Sequence, residues 1–339
     1  MRVLITGGAG FIGYVLAQRL AQGGHELTVC DDLSRGRMDA AIKALRRLPN
    51  VRFVRCDLTK ASQLRRLGDG FDHVYHLAAI NGTEHFYERP HDVLRVNLLT
   101  TINLLDYLAT SPPKRLMFAS SSETYAGTAA TFGVPYPTPE DVVLTISDPF
   151  NPRFSYAGSK IAGELLVINY ARKYDFSAVV VRYHNIYGPR MGFEHVIPQF
   201  CLRLARREDP FRVFGGDNTR AFCYVDDAVE ATARLMDSAE AGGRTVNVGN
   251  DREELAIVDL AKLLFEVVGV TPRLDVQPAP TGAVGRRCPD VTKLRKLTGF
   301  EPRVPLREGL KRTHAWYSAW QRRNEARGKK TQAREGAYA

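Results

Sequence analysis

The chain has 339 residues and only five cysteines, Cys30, Cys56, Cys201, Cys223 and Cys288. They are scattered, odd in number and form no CxxC pair. This argues against a disulfide framework and a structural zinc site, and for a reducing, cytoplasmic setting. No apolar run approaches the ~20 residues of a membrane span, so no membrane partner is expected. The opening MRVLITGGAGFIG breaks into glycines too early to read as a signal peptide. No His, Cys, Asp or Glu cluster is spaced for a metal, and none is expected. What is present is ordinary for a globular protein with a large core: 44% apolar and 25% charged residues, enough chain for about two domains.

The net charge of +10 raises the question of nucleic acid. Its distribution answers otherwise. Residues 321–339 carry six Lys or Arg against two acids, so much of the excess sits on one polar segment, which reads as a disordered basic tail. The remaining charge suits an anionic small molecule, and no nucleic acid is expected.

Short β-branched runs at Val3–Ile5, Leu27–Val29, Val51–Val54, Val74–Leu77, Leu116–Ala119 and Val179–Val181 alternate with helical stretches such as Gly13–Gly23 and Val93–Ala109. This alternation predicts an α/β fold with a doubly wound, Rossmann-type parallel sheet. The five prolines between Gly127 and Phe154 predict a long functional loop. After Asn185 short helices and loops return to strand at Thr245–Val248. The expected division is a dinucleotide domain, 1–181 plus about 222–250, interwoven with a smaller substrate domain, about 182–221 plus 251–320.

Glycines at Gly7, Gly10 and Gly13 follow the first strand and open a helix. They permit a tight turn, close approach of a pyrophosphate and close helix–strand packing, with the phosphates on the helix N-terminus. Asp31 ends the second strand, where a carboxylate accepts hydrogen bonds from ribose hydroxyls and repels a 2′-phosphate. NAD is thus preferred over NADP, although Arg35 and Arg37 keep NADP open as a lesser reading. Asp57 and Leu58 follow the third strand at the adenine edge.

Tyr156 and Lys160 stand four apart, on one helix face. A phenol titrates near ~10, and bringing it to neutrality takes ~4 kcal/mol, which a nearby ammonium together with a positive nicotinamide ring can supply. Such a tyrosine can take a proton from a sugar hydroxyl as hydride leaves the same carbon. Ser120, Ser121, Ser122 and Glu123 follow a strand at the ligand-binding edge of the sheet, where a hydroxyl can bond the reacting oxygen.

These motifs occur in order with His76-Leu77-Ala78-Ala79, Arg182 to Arg190 and Tyr224-Val225-Asp226-Asp227. Together they resemble the extended short-chain dehydrogenase/reductase family, specifically its NAD-dependent nucleotide-sugar epimerases and dehydratases, over residues 1 to about 315. The resemblance implies Ser121, Tyr156 and Lys160 as the catalytic set. Phe11, Ile12, Leu77, Ala78, Ala79 and Asn97 join the glycines on NAD. Ser122, Asn185, Val196, Arg220 and Arg287 fall on a nucleotide-diphosphate sugar, with the two arginines gripping the diphosphate. It also implies a homodimer through the helices around Val93–Ala109 and Ile161–Tyr174. Glu123 matches a glutamate of decarboxylases and 4,6-dehydratases that acts as a base at C5 or positions a C6 carboxylate. Epimerisation through a transient keto sugar is placed narrowly first and decarboxylation next. Dehydration follows, weakened by Ser122 where one dehydratase type has aspartate, and a non-catalytic NAD-binding relative is the distant alternative. His184 and His195 read as packing or hydrogen-bonding groups. The segment Ile80–Arg89 matches no one subclass.

Overall fold

The computed structural model describes residues 1–279 and 284–335. Strands β1 (Arg2–Thr6), β2 (Glu26–Asp31), β3 (Val51–Arg55), β4 (His73–His76), β5 (Arg115–Ser121) and β6 (Ser177–Tyr183) join Arg244–Val248 in one seven-stranded sheet. Its order is Arg244–Val248, β6, β5, β4, β1, β2, β3, and every pairing is parallel. Both faces are buried: Val3 and Ile5 enter one apolar cluster while Leu4 between them enters the other. This is why the strands read as continuous β-branched runs rather than alternating ones.

The strand order reverses between β1 and β4, and the crevice beyond their carboxyl ends is where such sheets bind ligands. The turn Gly7–Gly10 leaves β1 there, and Leu77–Ala79 leaves β4. Residues after Tyr183 build smaller sheets over this edge: Thr219–Ala221 between Glu254–Ala256 and Arg286–Arg287, Phe211–Phe214 with Leu274–Gln277, and Ile186–Tyr187 with Cys223–Tyr224.

Two expectations need correction. The Gly127–Phe154 segment is not loop throughout, because a helix, Ala126–Thr131, continues the 3₁₀ turn Ser122–Tyr125 before the irregular stretch begins. The basic tail is not disordered where it is described: the last helix, Leu306–Glu335, runs through it, and residues 336–339 lie outside the described residues. Trp320 packs on Phe193 with ring centroids 4.5 Å apart, which anchors this helix. Beyond that anchor Arg, Lys, Glu, Gln and Ala are strong helix formers without any apolar period.

Candidate active site

A cleft of about 2280 Å³ runs from the glycine turn to Arg220 and Arg287. At one end Gly7 has φ +70°, and a side chain there would lie 2.8 Å from the Ala78 backbone nitrogen. A Cβ on Gly13 would lie 2.2 Å from the Gly7 carbonyl oxygen. Only hydrogen fits at either position. The helix Phe11–Gln22 begins at Gly10 with no side-chain cap, leaving its first N–H groups to serve a phosphate. Asp31 accepts from Ala9 N at 3.0 Å and Leu33 N at 2.8 Å, and burial raises its carboxyl. This cradle fits a dinucleotide. Phe11, Ile12, Asp57, Leu58, Leu77, Ala78 and Ala79 line the same cleft.

The cradle is clasped from outside. Arg35 pairs with Glu194 at 2.7 Å, and Arg190 pairs with Asp39. Arg37 lies over Phe193 at 5.3 Å and Trp320 at 6.0 Å. Both arginines that kept NADP open are thus engaged by the far side of the cleft.

Asn97 does not line the cleft. Its buried amide bonds Ile80 through both N–H and C=O and donates to Ser159 Oγ at 3.1 Å, which ties backbone together behind the cleft. Ser120 is likewise structural: its hydroxyl bonds Glu164, which holds Arg182 through two contacts. His184 is buried and bonds Asn247 at 3.0 Å. Burial pushes its imidazole down to about 3 and also lowers that of His195, which lines the cleft.

Ser121, at the end of β5, accepts from Glu123 N at 3.2 Å and shares a hydrogen bond with Tyr156. Tyr156 and Lys160 sit in the helix Phe154–Tyr174, as their spacing predicts. The expected Lys160–phenol pairing differs in detail. Lys160 Nζ donates to Ala119 O at 2.8 Å and lies 5.6 Å from the Tyr156 ring centroid. Burial pushes Lys160 down to about 8, with Glu164 opposing. Burial also raises Tyr156, and it is Ser121 and Arg35 that pull it back.

Glu123 is enclosed by cations that no local pattern announces. Arg153 reaches it at 3.0 Å and Arg287 at 2.6 Å, and despite the opposing burial they hold its carboxyl down to about 2. Two guanidinium groups thus engage the carboxylate to which the resemblance gives two alternative roles. Arg220 donates to the carbonyls of Thr219, Gly285 and Val284. Burial, then repulsion from Arg287, pushes it down to about 9. A guanidinium keeps its proton, and among the described residues no carboxylate forms an ion pair with Arg220. Asn185 (φ +44°) donates to Ala221 O at 3.0 Å. It lines the cleft together with Ser122 and Val196. Sequence reasoning missed Arg153, three residues before Tyr156, and Tyr87, which bonds it.

A glycine-cradled dinucleotide site opening onto a Ser–Tyr–Lys set defines a nicotinamide-dependent oxidoreductase-type enzyme. The family model for NAD-dependent epimerases/dehydratases matches residues 3–249. UDP-N-acetyl-α-D-glucosaminuronate decarboxylase of Bacillus cytotoxicus is 34% identical over 326 residues, covering 93% of this chain and 97% of that one. UDP-glucuronic acid decarboxylase 4 of Arabidopsis thaliana is 32% identical over 314 residues, covering 91% of this chain and 67% of that one. Among solved structures, UDP-glucose 4-epimerase from Thermotoga maritima with UDP-glucose gives a TM-score of 0.83 at 29% identity, covering 95% of this chain and all of that one, 100%. UDP-glucuronic acid 4-epimerase from Bacillus cereus with UDP-glucuronic acid and NAD gives 0.82 at 25% identity, covering 94% and 100%. The chain belongs to the NAD-dependent epimerase/dehydratase family of extended short-chain dehydrogenases/reductases. It is an NAD-dependent enzyme.

Proposed function

We propose that the chain decarboxylates a nucleotide-bound uronic acid, with UDP-glucuronate as the foremost candidate. The observation that carries this reading is the group Arg153, Arg220 and Arg287 around the single carboxylate Glu123. Three guanidinium groups against one carboxylate leave positive charge in excess, which favours a polyanionic nucleotide sugar. Two relatives of more than 30% identity, named as uronate decarboxylases, support it and reverse the order in which the motifs alone place epimerisation and decarboxylation.

Tyr156 takes the proton from the C4 hydroxyl, and Ser121 holds the same oxygen. Bound NAD would take the C4 hydride and add positive charge beside the phenol. The resulting 4-keto uronate is a β-keto acid: the C5–C6 bond breaks, carbon dioxide leaves, and the electron pair moves onto the C4 oxygen. There the Tyr156 and Ser121 hydroxyls stabilise it. A proton from solvent is then taken up at C5, the hydride returns to C4, and Tyr156 gives its proton back to the C4 oxygen. Glu123 holds Arg153 and Arg287 in place through all of this. The substrate side comes from segments 182–221 and 251–320, through Asn185, Val196, Arg220 and Arg287.

Mass spectrometry of the product tests the reading. A product lighter than UDP-glucuronate by carbon dioxide is expected; unchanged mass would favour the 4-epimerase reading that the structural neighbours support, and loss of water would favour dehydration. A homodimer is part of the same proposal. The helices Pro90–Leu108 and Phe154–Tyr174 leave Leu94, Leu165 and Tyr174 exposed. A two-chain mass is expected in sedimentation at micromolar concentration, and a single-chain mass would refute it.

A further inference from the structure

Segment 80–89, which matched no subclass, brings an aromatic ring onto the acid–base tyrosine. Phe86, in the short helix Thr83–Glu88, stacks on Tyr156 with centroids 4.7 Å apart and planes 15° apart. Both rings are buried, and Val93 and Ile80 complete the apolar cluster around them. The backbones beneath are tied to one another. Asn97 bonds the N–H and C=O of Ile80 at 2.7 and 3.1 Å and donates to Ser159 Oγ, which in turn donates to Tyr156 O at 2.7 Å. The run Ile80–Asn97–Ser159–Tyr156 fixes the strand of chain that carries Phe86 relative to the helix that carries Tyr156.

We infer that Phe86 is a positioning residue that sets the tilt of the Tyr156 phenol toward the Ser121 hydroxyl. The hydroxyl stands at the far end of the ring, so a small rotation about Cα–Cβ swings it by about an ångström, and errors of that size are costly in a reacting geometry. A nearly parallel ring over one face blocks that rotation. The inference rests on the acid–base reading of Tyr156.

Its test is the rate of sugar oxidation, read in the nicotinamide absorbance after mixing NAD-loaded protein with UDP-glucuronate and, separately, UDP-glucose. Phe86→Leu keeps bulk but loses the aromatic face. It is expected to slow oxidation about tenfold with KM and NAD content unchanged. Phe86→Tyr keeps the face and is expected to restore the rate. A Phe86→Leu enzyme as fast as wild type overturns the inference, as does Phe86→Tyr as slow as Phe86→Leu, or a raised KM in place of a lowered kcat. Tyr156→Phe run alongside separates the two claims. If Tyr156→Phe is as fast as wild type, the acid–base reading falls and the brace with it; if it is slow while Phe86→Leu is fast, the brace alone falls.

Discussion

Tyr156→Phe is expected to lower turnover by at least ~10²-fold, the usual size of an acid–base contribution, while binding of NAD and nucleotide sugar persists. The substitution removes one oxygen and its hydrogen bond to Ser121, leaving the ring, its stack on Phe86 and the buried Lys160 as they are. Burial disfavours the phenolate, so the ability of Tyr156 to accept a proton depends on the charge gathered around it. Steady-state kinetics with calorimetric titration of both ligands checks this. A loss confined to binding, or turnover within a few fold of wild type, would contradict it.

Glu123→Gln is expected to destabilise the fold by about 3 kcal/mol, the order found when one member of a buried ion pair is removed. It leaves Arg153 and Arg287 facing each other without the carboxylate between them. The sign of the pH dependence follows from the carboxyl's being held down to about 2 against an ordinary 4.5. Its contribution is fully present above about pH 4.5 and disappears as pH falls through about 2, so the deficit of the variant narrows over that acid range. UDP-glucuronate, which brings a carboxylate, should raise the melting temperature of the variant more than UDP-glucose does. In turnover the variant should stall after oxidation, with reduced nicotinamide accumulating. Equal stabilisation by the two sugars would show that the arginines do not meet the uronate carboxylate.

The sheet and the cofactor cradle were legible in the sequence because local physics specifies them. A parallel strand buried on both faces must be a β-branched run, and Gly7 and Gly13 stand where only hydrogen fits. Ser121, Tyr156 and Lys160 were legible because each lies at a fixed offset from a strand end or a helix turn. The setting of Glu123 was not. One of its arginines is 30 residues away and the other comes from the far part of the chain, and nothing local marks which of many Arg side chains will arrive. The helix of Asn97 was foreseen, but its bonding to Ile80 was not, because that depends on where segment 80–89 settles. The last helix shows the limit of periodicity, since a polar run reads as disorder until Trp320 gives it something to hold.

The clasp over the cradle bears on how the enzyme is supplied with oxidant. Arg35 to Glu194 and Asp39 to Arg190 tether the loop after β2 to a loop more than 150 residues further on. Both tethers cross the rim of the cleft in which the dinucleotide cradle lies. In a reaction where hydride goes out and comes back to the same sugar, departure of the dinucleotide is never required. One molecule of cofactor can then serve for many turnovers, and the surrounding balance of oxidised to reduced nucleotide has little purchase on the rate. On the proposed reading the sugar exchanges with bulk solution every cycle, whereas the redox partner need not.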